Sequence, residues 1–192
     1  MPRFTRRSFI TVPTIIAAAQ LADTAYGYDR SKPPACGAMP NPTFHVPGEP
    51  FYKPGSPARQ VLWDSGIKGE HLILSGRVLN AGCEPIAGAR LDFYQTDVTG
   101  TYDTEGYYLR GHQFTDAEGR YFLDTIMPGY YSWAPHIHVH LEAPDKPVLT
   151  TAVAFPRPWD REGKNPFSGF SMAASIDREN EVLIGRYDFV LL

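Results

Sequence analysis

Three of the six histidines in this 192-residue chain stand at alternate positions in PHIHVH, Pro135 to His140. A β-strand places every second side chain on one face, so His136, His138 and His140 project together while Ile137 and Val139 face the other way. Imidazole nitrogens grouped in this manner can hold a first-row transition metal. The same alternation also suits a polar surface row or a pairing inside a core, and the six residues alone leave both readings open. Thiolate ligation has no support, because Cys36 and Cys83 are the only cysteines and no CxxC or Cys/His spacing accompanies them.

Short segments rich in β-branched and aromatic residues lie between turn signals on both sides of the histidines. His71 to Leu79 (HLILSGRVL), Arg90 to Thr96 (RLDFYQT), Arg120 to Ile126, His136 to Glu142, Val148 to Phe155 and Val182 to Leu192 read as strands. The stretches AGCEPIAGA, TDAEG, MPG and APDKP supply turns between them. No segment sustains a helical period, and no fixed-length repeat is present. The expected fold is therefore all-β, a two-sheet antiparallel β-sandwich with long loops and little helix. Pro and Gly interrupt Arg30 to Pro57 too often for helix or long strand, so this reads as an arm laid across the domain. Pro158 to Ser175 lacks alternation and is expected to form a surface loop of the kind that walls a site.

With 43% hydrophobic residues and a net charge of -3, the chain can bury one core. Acids and bases are interspersed, so no basic face meets a phosphate backbone and nucleic acid is not an expected partner. The opening MPRFTRRSFITVPTIIAAAQLADTAYG runs from basic through apolar to small residues, the layout of an export signal. Arg6-Arg7 before Ser8-Phe9-Ile10 is similar to a twin-arginine signal, which implies a periplasmic or secreted protein that leaves the cytoplasm folded. Phe9 to Ala19 is too short for a bilayer span, so no stable membrane anchor is expected. The resulting division is 1–27 signal, 28–58 arm and 59–192 sandwich. Export lets Cys36 and Cys83 pair, and an intramolecular Cys36–Cys83 disulfide is expected, worth ~2–4 kcal/mol.

From Gly48 to Leu192 the ordered motifs GEPFYKPGSPAR, LSGRVLNAGCEPIAGARLDFYQTDVTGTYD, LRGHQFTDAEGRYFLDTIMPGYY, APHIHVHL, LTTAVAFP and GRYDFVLL resemble the intradiol ring-cleavage dioxygenases. The helical N-terminal extension of the catechol-type members has no counterpart here, and the resemblance is to the compact protocatechuate 3,4-dioxygenase type. It implies a mononuclear Fe(III) site. The iron-binding tyrosine of the family's Gly-x-Tyr turn falls on Tyr102, the tyrosine after its Pro-Gly turn on Tyr131 with Tyr130 as the alternative, and its two histidines on His136 and His138. Phenolate is a hard anionic donor that favours ferric over ferrous iron, and a bound cation drives deprotonation of a phenol whose free pKa is ~10.

The implied substrates are a small aromatic diol and O2. The diol binds through both oxygens in place of Tyr131, the bond between the two hydroxyl-bearing carbons breaks, and a muconate-type dicarboxylate forms. Relatives commonly assemble, so a homo-oligomer is an expectation the sequence leaves open. The resemblance also has departures. Trp133 stands where the family carries an arginine three residues before the first histidine, and Ala152 stands where it carries glutamine. Arg110, in LRGHQF, matches a family position and is a candidate to stabilise substrate charge, or else a structural arginine. His112 and His140 are candidate outer partners of the site.

Overall fold

The computed structural model describes residues 42–48, 50–131, 134–155 and 175–192, with 175–177 described from the backbone alone. The chain divides into two units, Met1–Lys32 and Pro33–Leu192, and every described residue belongs to the second. The expected signal, Cys36, Ser132, Trp133 and the 158–174 part of the expected loop lie outside the described residues.

Among the described residues nine strands form and there is no helix, so no helix there is long and apolar enough to cross a membrane. They are β1 (His71–Asn80), β2 (Arg90–Gln95), β3 (Arg110–Phe114), β4 (Arg120–Ile126), β5 (His136–Glu142), β6 (Leu149–Ala154), β7 (Ser175–Glu179), β8 (Val182–Arg186) and β9 (Phe189–Leu191). One sheet runs β3-β2-β5-β6, antiparallel throughout. The other runs β4-β1-β8-β7, with β9 also on β1. This is the expected all-β two-sheet sandwich, except that only the first sheet is antiparallel throughout; the second is mixed, because β8 and β9 lie parallel to β1. Leu91, Phe93, Ile137, Val139, Leu141 and Val153 from the first sheet meet Leu72, Leu74, Val78, Tyr121, Leu123 and Phe189 from the second in one buried core. Each such side chain contributes ~1.5–3 kcal/mol of burial, enough to fix which face of β5 looks outward.

Strand positions depart from the sequence reading in three places, one of them β7 (Ser175–Glu179), which has no expected counterpart and begins at the last residue of the expected loop. β3 is not evident in the sequence because RGHQF is polar, and it is polar because it is a sheet edge covered by the arm. Arg59 N–H donates to the His112 carbonyl at 2.9 Å, and His112 N–H donates to the Pro57 carbonyl at 3.0 Å. The arm is tied down again where Val46 N–H donates to the Thr150 carbonyl and Thr43 N–H to the Val190 carbonyl.

The third departure is at the C-terminus, where the expected single run is split into β8 and β9. Both pair with β1 in parallel, over Leu72–Ser75 and Val78–Asn80 respectively. Between them Tyr187 and Asp188 bulge over Gly76: Tyr187 N–H donates to the Ser75 carbonyl, and Asp188 Oδ1 accepts from Arg77 N–H at 2.8 Å. A Cβ on Gly76 would collide with the Tyr187 carbonyl.

The expected Cys36–Cys83 disulfide involves Cys36, which lies outside the described residues; among the described residues Cys83 has no disulfide partner. The turn that carries Cys83 is closed by hydrogen bonds. Asn80 Oδ1 accepts from the N–H groups of Gly82 and Glu84, and Asn80 N–H donates to the Glu84 carbonyl.

Gly76→Ala is expected to cost ~1–3 kcal/mol by overpacking the bulge. A denaturant titration should show a lower midpoint with an unchanged β-type circular dichroism spectrum, and an unchanged midpoint would mean that the bulge can move aside freely.

Candidate metal centre

The register of the first sheet sets out the site. On its outer face Arg110 lies opposite Tyr94, Tyr94 opposite His138, and His138 opposite Ala152. The next outward row runs His112, Asp92, His140, Thr150. The three alternate histidines of β5 thus share the face that the core leaves outward, as period two requires.

Two of them converge with a tyrosine. His136 Nε2 lies 3.1 Å from Tyr102 Oη and 3.1 Å from His138 Nε2. Its other nitrogen, Nδ1, donates to the Ala134 carbonyl at 2.6 Å, which leaves the Nε2 lone pair facing the convergence. All three side chains are buried. Burial pushes His138 down to about 3, with the neighbouring His136 and Arg110 charges acting in the same direction. Burial also lowers His136, against the Ala134 bond that favours its protonated ring. Tyr102 moves the opposite way, raised by burial and by Tyr131 and lowered by Arg110. The result is two neutral imidazoles beside a phenol that has no reason to ionise until a cation arrives.

Two turns bring the tyrosines together. Asp97 accepts through its carbonyl from Gly100 N–H at 3.1 Å and from Gly129 N–H at 2.8 Å, while Thr96 Oγ1 donates to the Gly129 carbonyl at 3.1 Å. The Gly-Thr-Tyr and Pro-Gly-Tyr-Tyr motifs are therefore two halves of one interlock. A Cβ on Gly129 would collide with the Asp97 carbonyl and Gly100 N, and one on Gly100, at φ 84°, with the Tyr130 carbonyl. The interlock sets the Tyr102 and Tyr131 rings edge to face, 5.3 Å apart at 79°. Tyr102 is 7% exposed and Tyr131 38%. Tyr130 is 51% exposed and lends its backbone to the interlock.

Other candidates fall outside the convergence. Arg110 is 1% exposed, donates through Nε and Nη2 to the Asp103 carbonyl at 3.0 and 2.8 Å, and lies over the Tyr94 ring. His112 Nδ1 lies 2.8 Å from the Ser56 carbonyl, which fastens the arm. His140 pairs with Glu142 at 3.0 Å and stacks on Tyr52. Ala152, fully buried opposite His138, offers no polar group at the position where the family pattern has glutamine.

Three aromatics at the site escape the sequence reading. Tyr94 stacks on His138 at 4.7 Å and 7°, Phe51 stacks on Tyr102 at 4.5 Å and 16°, and Tyr52 tilts against Tyr94. Tyr94 is discoverable from the sequence, since it alternates outward in RLDFYQT as His138 does in PHIHVH. Phe51 and Tyr52 sit on the arm, whose path no periodicity records.

The donor set fits a first-row ion of hard character. Ligands ~2.1 Å from such an ion and at right angles stand ~3 Å apart, which matches both 3.1 Å separations. Among the described residues no three His, Cys, Asp or Glu side chains converge, so neither a carboxylate triad nor a thiolate cage forms there. Phenol and imidazole together suit ferric iron.

Known proteins resemble this chain over most of its length. The family model described as Dioxygenase matches residues 49–189. The chain belongs to the intradiol ring-cleavage dioxygenase family. It is 28% identical over 176 residues to a 6-chlorohydroxyquinol 1,2-dioxygenase of Cupriavidus pinatubonensis, covering 77% of this chain and 60% of that protein. It is 33% identical over 78 residues to the protocatechuate 3,4-dioxygenase beta chain of Burkholderia cepacia, covering 35% of this chain and 33% of that one. The chain thus spans less than two thirds of these curated relatives. Among solved structures, the dioxygenase domain of a dioxygenase carbohydrate-binding protein fusion from Streptomyces sp. SirexAA-E superposes with a TM-score of 0.70 at 39% identity, covering 79% of this chain and 98% of that one. An intradiol ring-cleavage dioxygenase from Tetranychus urticae shares the fold, with a TM-score of 0.68 at 21% identity over 79% of this chain and 95% of that one.

Gly129→Ala should separate the two tyrosine turns while sparing the sheets. The expected outcome is a marked loss of bound iron after loading, with stability lowered by the ~1–3 kcal/mol of a local overpacking and the β-type circular dichroism spectrum kept. Full iron retention would show that the interlock does not place the tyrosines.

Proposed function

We propose that the chain is a non-haem Fe(III) intradiol dioxygenase that opens a catechol-like ring between its two hydroxyl-bearing carbons, using O2. The observation that carries this reading is the approach of Tyr102 Oη, His136 Nε2 and His138 Nε2 to 3.1 Å spacings beneath a second, more exposed tyrosine. Tyr102, His136 and His138 would hold the metal, with Tyr131 completing the set. Bound ferric iron supplies a Lewis acid and a redox-capable template for the two substrate oxygens.

The chain's own residues divide the remaining work. The Ala134 carbonyl orients His136, and the Tyr94 ring backs His138 so that neither imidazole can swing. Tyr131 is the residue whose place the diol takes, because it alone of the four is more than a third exposed, and its phenol holds the proton that a catechol hydroxyl gives up there. Arg110 acts as a positioning residue. Its guanidinium is committed to the Asp103 carbonyl and the Tyr94 face, and its charge favours the ionised form of Tyr102.

The names of the relatives, a chlorohydroxyquinol dioxygenase and a protocatechuate dioxygenase chain, support a catechol-type ring as substrate. The twin-arginine-like start supports export of the folded chain to the periplasm or beyond.

Protein purified without chelators and loaded with iron should bind close to one ion per chain and show a tyrosinate-to-ferric charge-transfer band. Tyr102→Phe should lose most of that band and lower turnover of a catechol by at least ~10²-fold, the scale of losing one preorganised charged group. Product analysis should give the ring-opened dicarboxylate. Stoichiometric iron without such a band, or oxidation that leaves the ring closed, would overturn the assignment.

A further inference from the structure

We propose that Phe51 is a positioning residue for the tyrosine pair, an aromatic wall that fixes the Tyr102 ring and limits the range of Tyr131. This rests on the ferric reading above. Among the described residues Phe51 alone is in ring contact with both tyrosines, stacked on Tyr102 at 4.5 Å and 16° and edge-on to Tyr131 at 5.5 Å and 87°. The two tyrosines also meet each other edge to face, so the three rings form a closed triangle. Edge-to-face and offset contacts are the preferred aromatic geometries, so each ring resists rotation of the other two.

The backbone at Phe51 shows that this placement is imposed. Its φ is 66°, in the left-handed region that a bulky residue rarely enters. The constraint comes from the residues just after it. Tyr52 stacks on His140 at 4.5 Å and donates to Asp92 Oδ2 at 3.4 Å. Lys53 Nζ donates to the carbonyls of Glu105 and Gly106, in the segment that follows Tyr102, and Tyr107 Oη donates to the Pro54 carbonyl. The arm is thus fastened to the strand carrying the histidines and to the loop carrying Tyr102. Phe51 stands immediately before those anchors, with its ring against Tyr102 and Tyr131. It is also 36% exposed beside Tyr131 at 38%, so it borders the open side of the site, where a diol would enter.

The geometry assigns Phe51 two effects. Holding the Tyr102 ring fixes the direction from which its oxygen approaches the metal. Bounding Tyr131 keeps that phenol near the site when the diol displaces it.

The test compares iron-loaded wild type with Phe51→Ala, Phe51→Leu and Phe51→Tyr, all checked for an unchanged melting profile in metal-free form. The readouts are the charge-transfer spectrum and the rate of iron loss to a competing chelator. Phe51→Ala and Phe51→Leu should shift the band and release iron about three- to tenfold faster, the worth of one to two aromatic contacts, while Phe51→Tyr restores wild-type behaviour. An unchanged band and release rate in Phe51→Ala would overturn the proposal, as would Phe51→Leu behaving as wild type, because volume alone would then suffice. A wild type that takes up no iron or shows no band would overturn the ferric reading and this inference together, so the two failures are distinguishable.

Discussion

Three donor atoms are gathered at 3.1 Å spacings in a place where none of their side chains carries a settled charge, and the rest of the outer face is arranged around that fact. Burial disfavours an imidazolium on His138 and a phenolate on Tyr102 in the metal-free chain. Both penalties vanish in favour of binding when a cation occupies the convergence, since it takes the imidazole lone pairs and compensates the phenolate. Uncharged ligands packed against each other are therefore a resting state suited to metal, and their burial selects against any occupant that cannot neutralise the phenolate.

Rigidity of the donors comes from the sheet, and adaptability from the turns. β5 lies between β2 and β6, so His136 and His138 are fixed by ladders on both sides and by the core packing of Ile137 and Val139. The tyrosines belong to irregular backbone on either side of the site. Their placement depends on a few hydrogen bonds between the Asp97 and Gly129 segments and on two glycines without room for a methyl group. The proposed function, in which the histidines would stay and one tyrosine would yield to substrate, needs this division of labour. An exchangeable ligand on a central strand would disturb the ladder each time it moved.

The elements that follow period two are readable from the sequence. Arg120–Ile126 and His136–Glu142 form as strands with the expected bounds, and the outward set of β5 follows from alternation alone. β3 is hidden because its outward residues, Arg110 and His112, serve the arm and the tyrosine loop rather than solvent, so RGHQF lacks an apolar alternation. The break between β8 and β9 is hidden because it arises from a contact with Gly76, more than a hundred residues away in the chain. For the site, the four motif residues can be named from a resemblance, but their mutual distances and the aromatic packing behind them cannot. Long-range packing of an arm has no local signature: Phe51 and Tyr52 are adjacent in sequence yet stack on side chains from a loop and a strand that are themselves far apart in the chain.

The arm also explains how a small sandwich can keep a buried polar face. Outward residues of a two-layer sheet normally meet water, yet Tyr94, Asp92, Arg110 and His138 are all buried. What covers this face includes the Tyr52 ring and the segment that continues through Pro54 to Ala58, tied to β3 by Arg59 and Pro57 backbone bonds. That cover lowers the local dielectric above the histidines, which strengthens every electrostatic interaction at the convergence. It leaves Phe51 and Tyr131 as the exposed rim. The architecture thus separates a buried floor, where Tyr102, His136, His138 and Arg110 lie, from a more exposed edge at Tyr131 and Phe51, and the same short stretch of chain from Phe51 to Ala58 borders both.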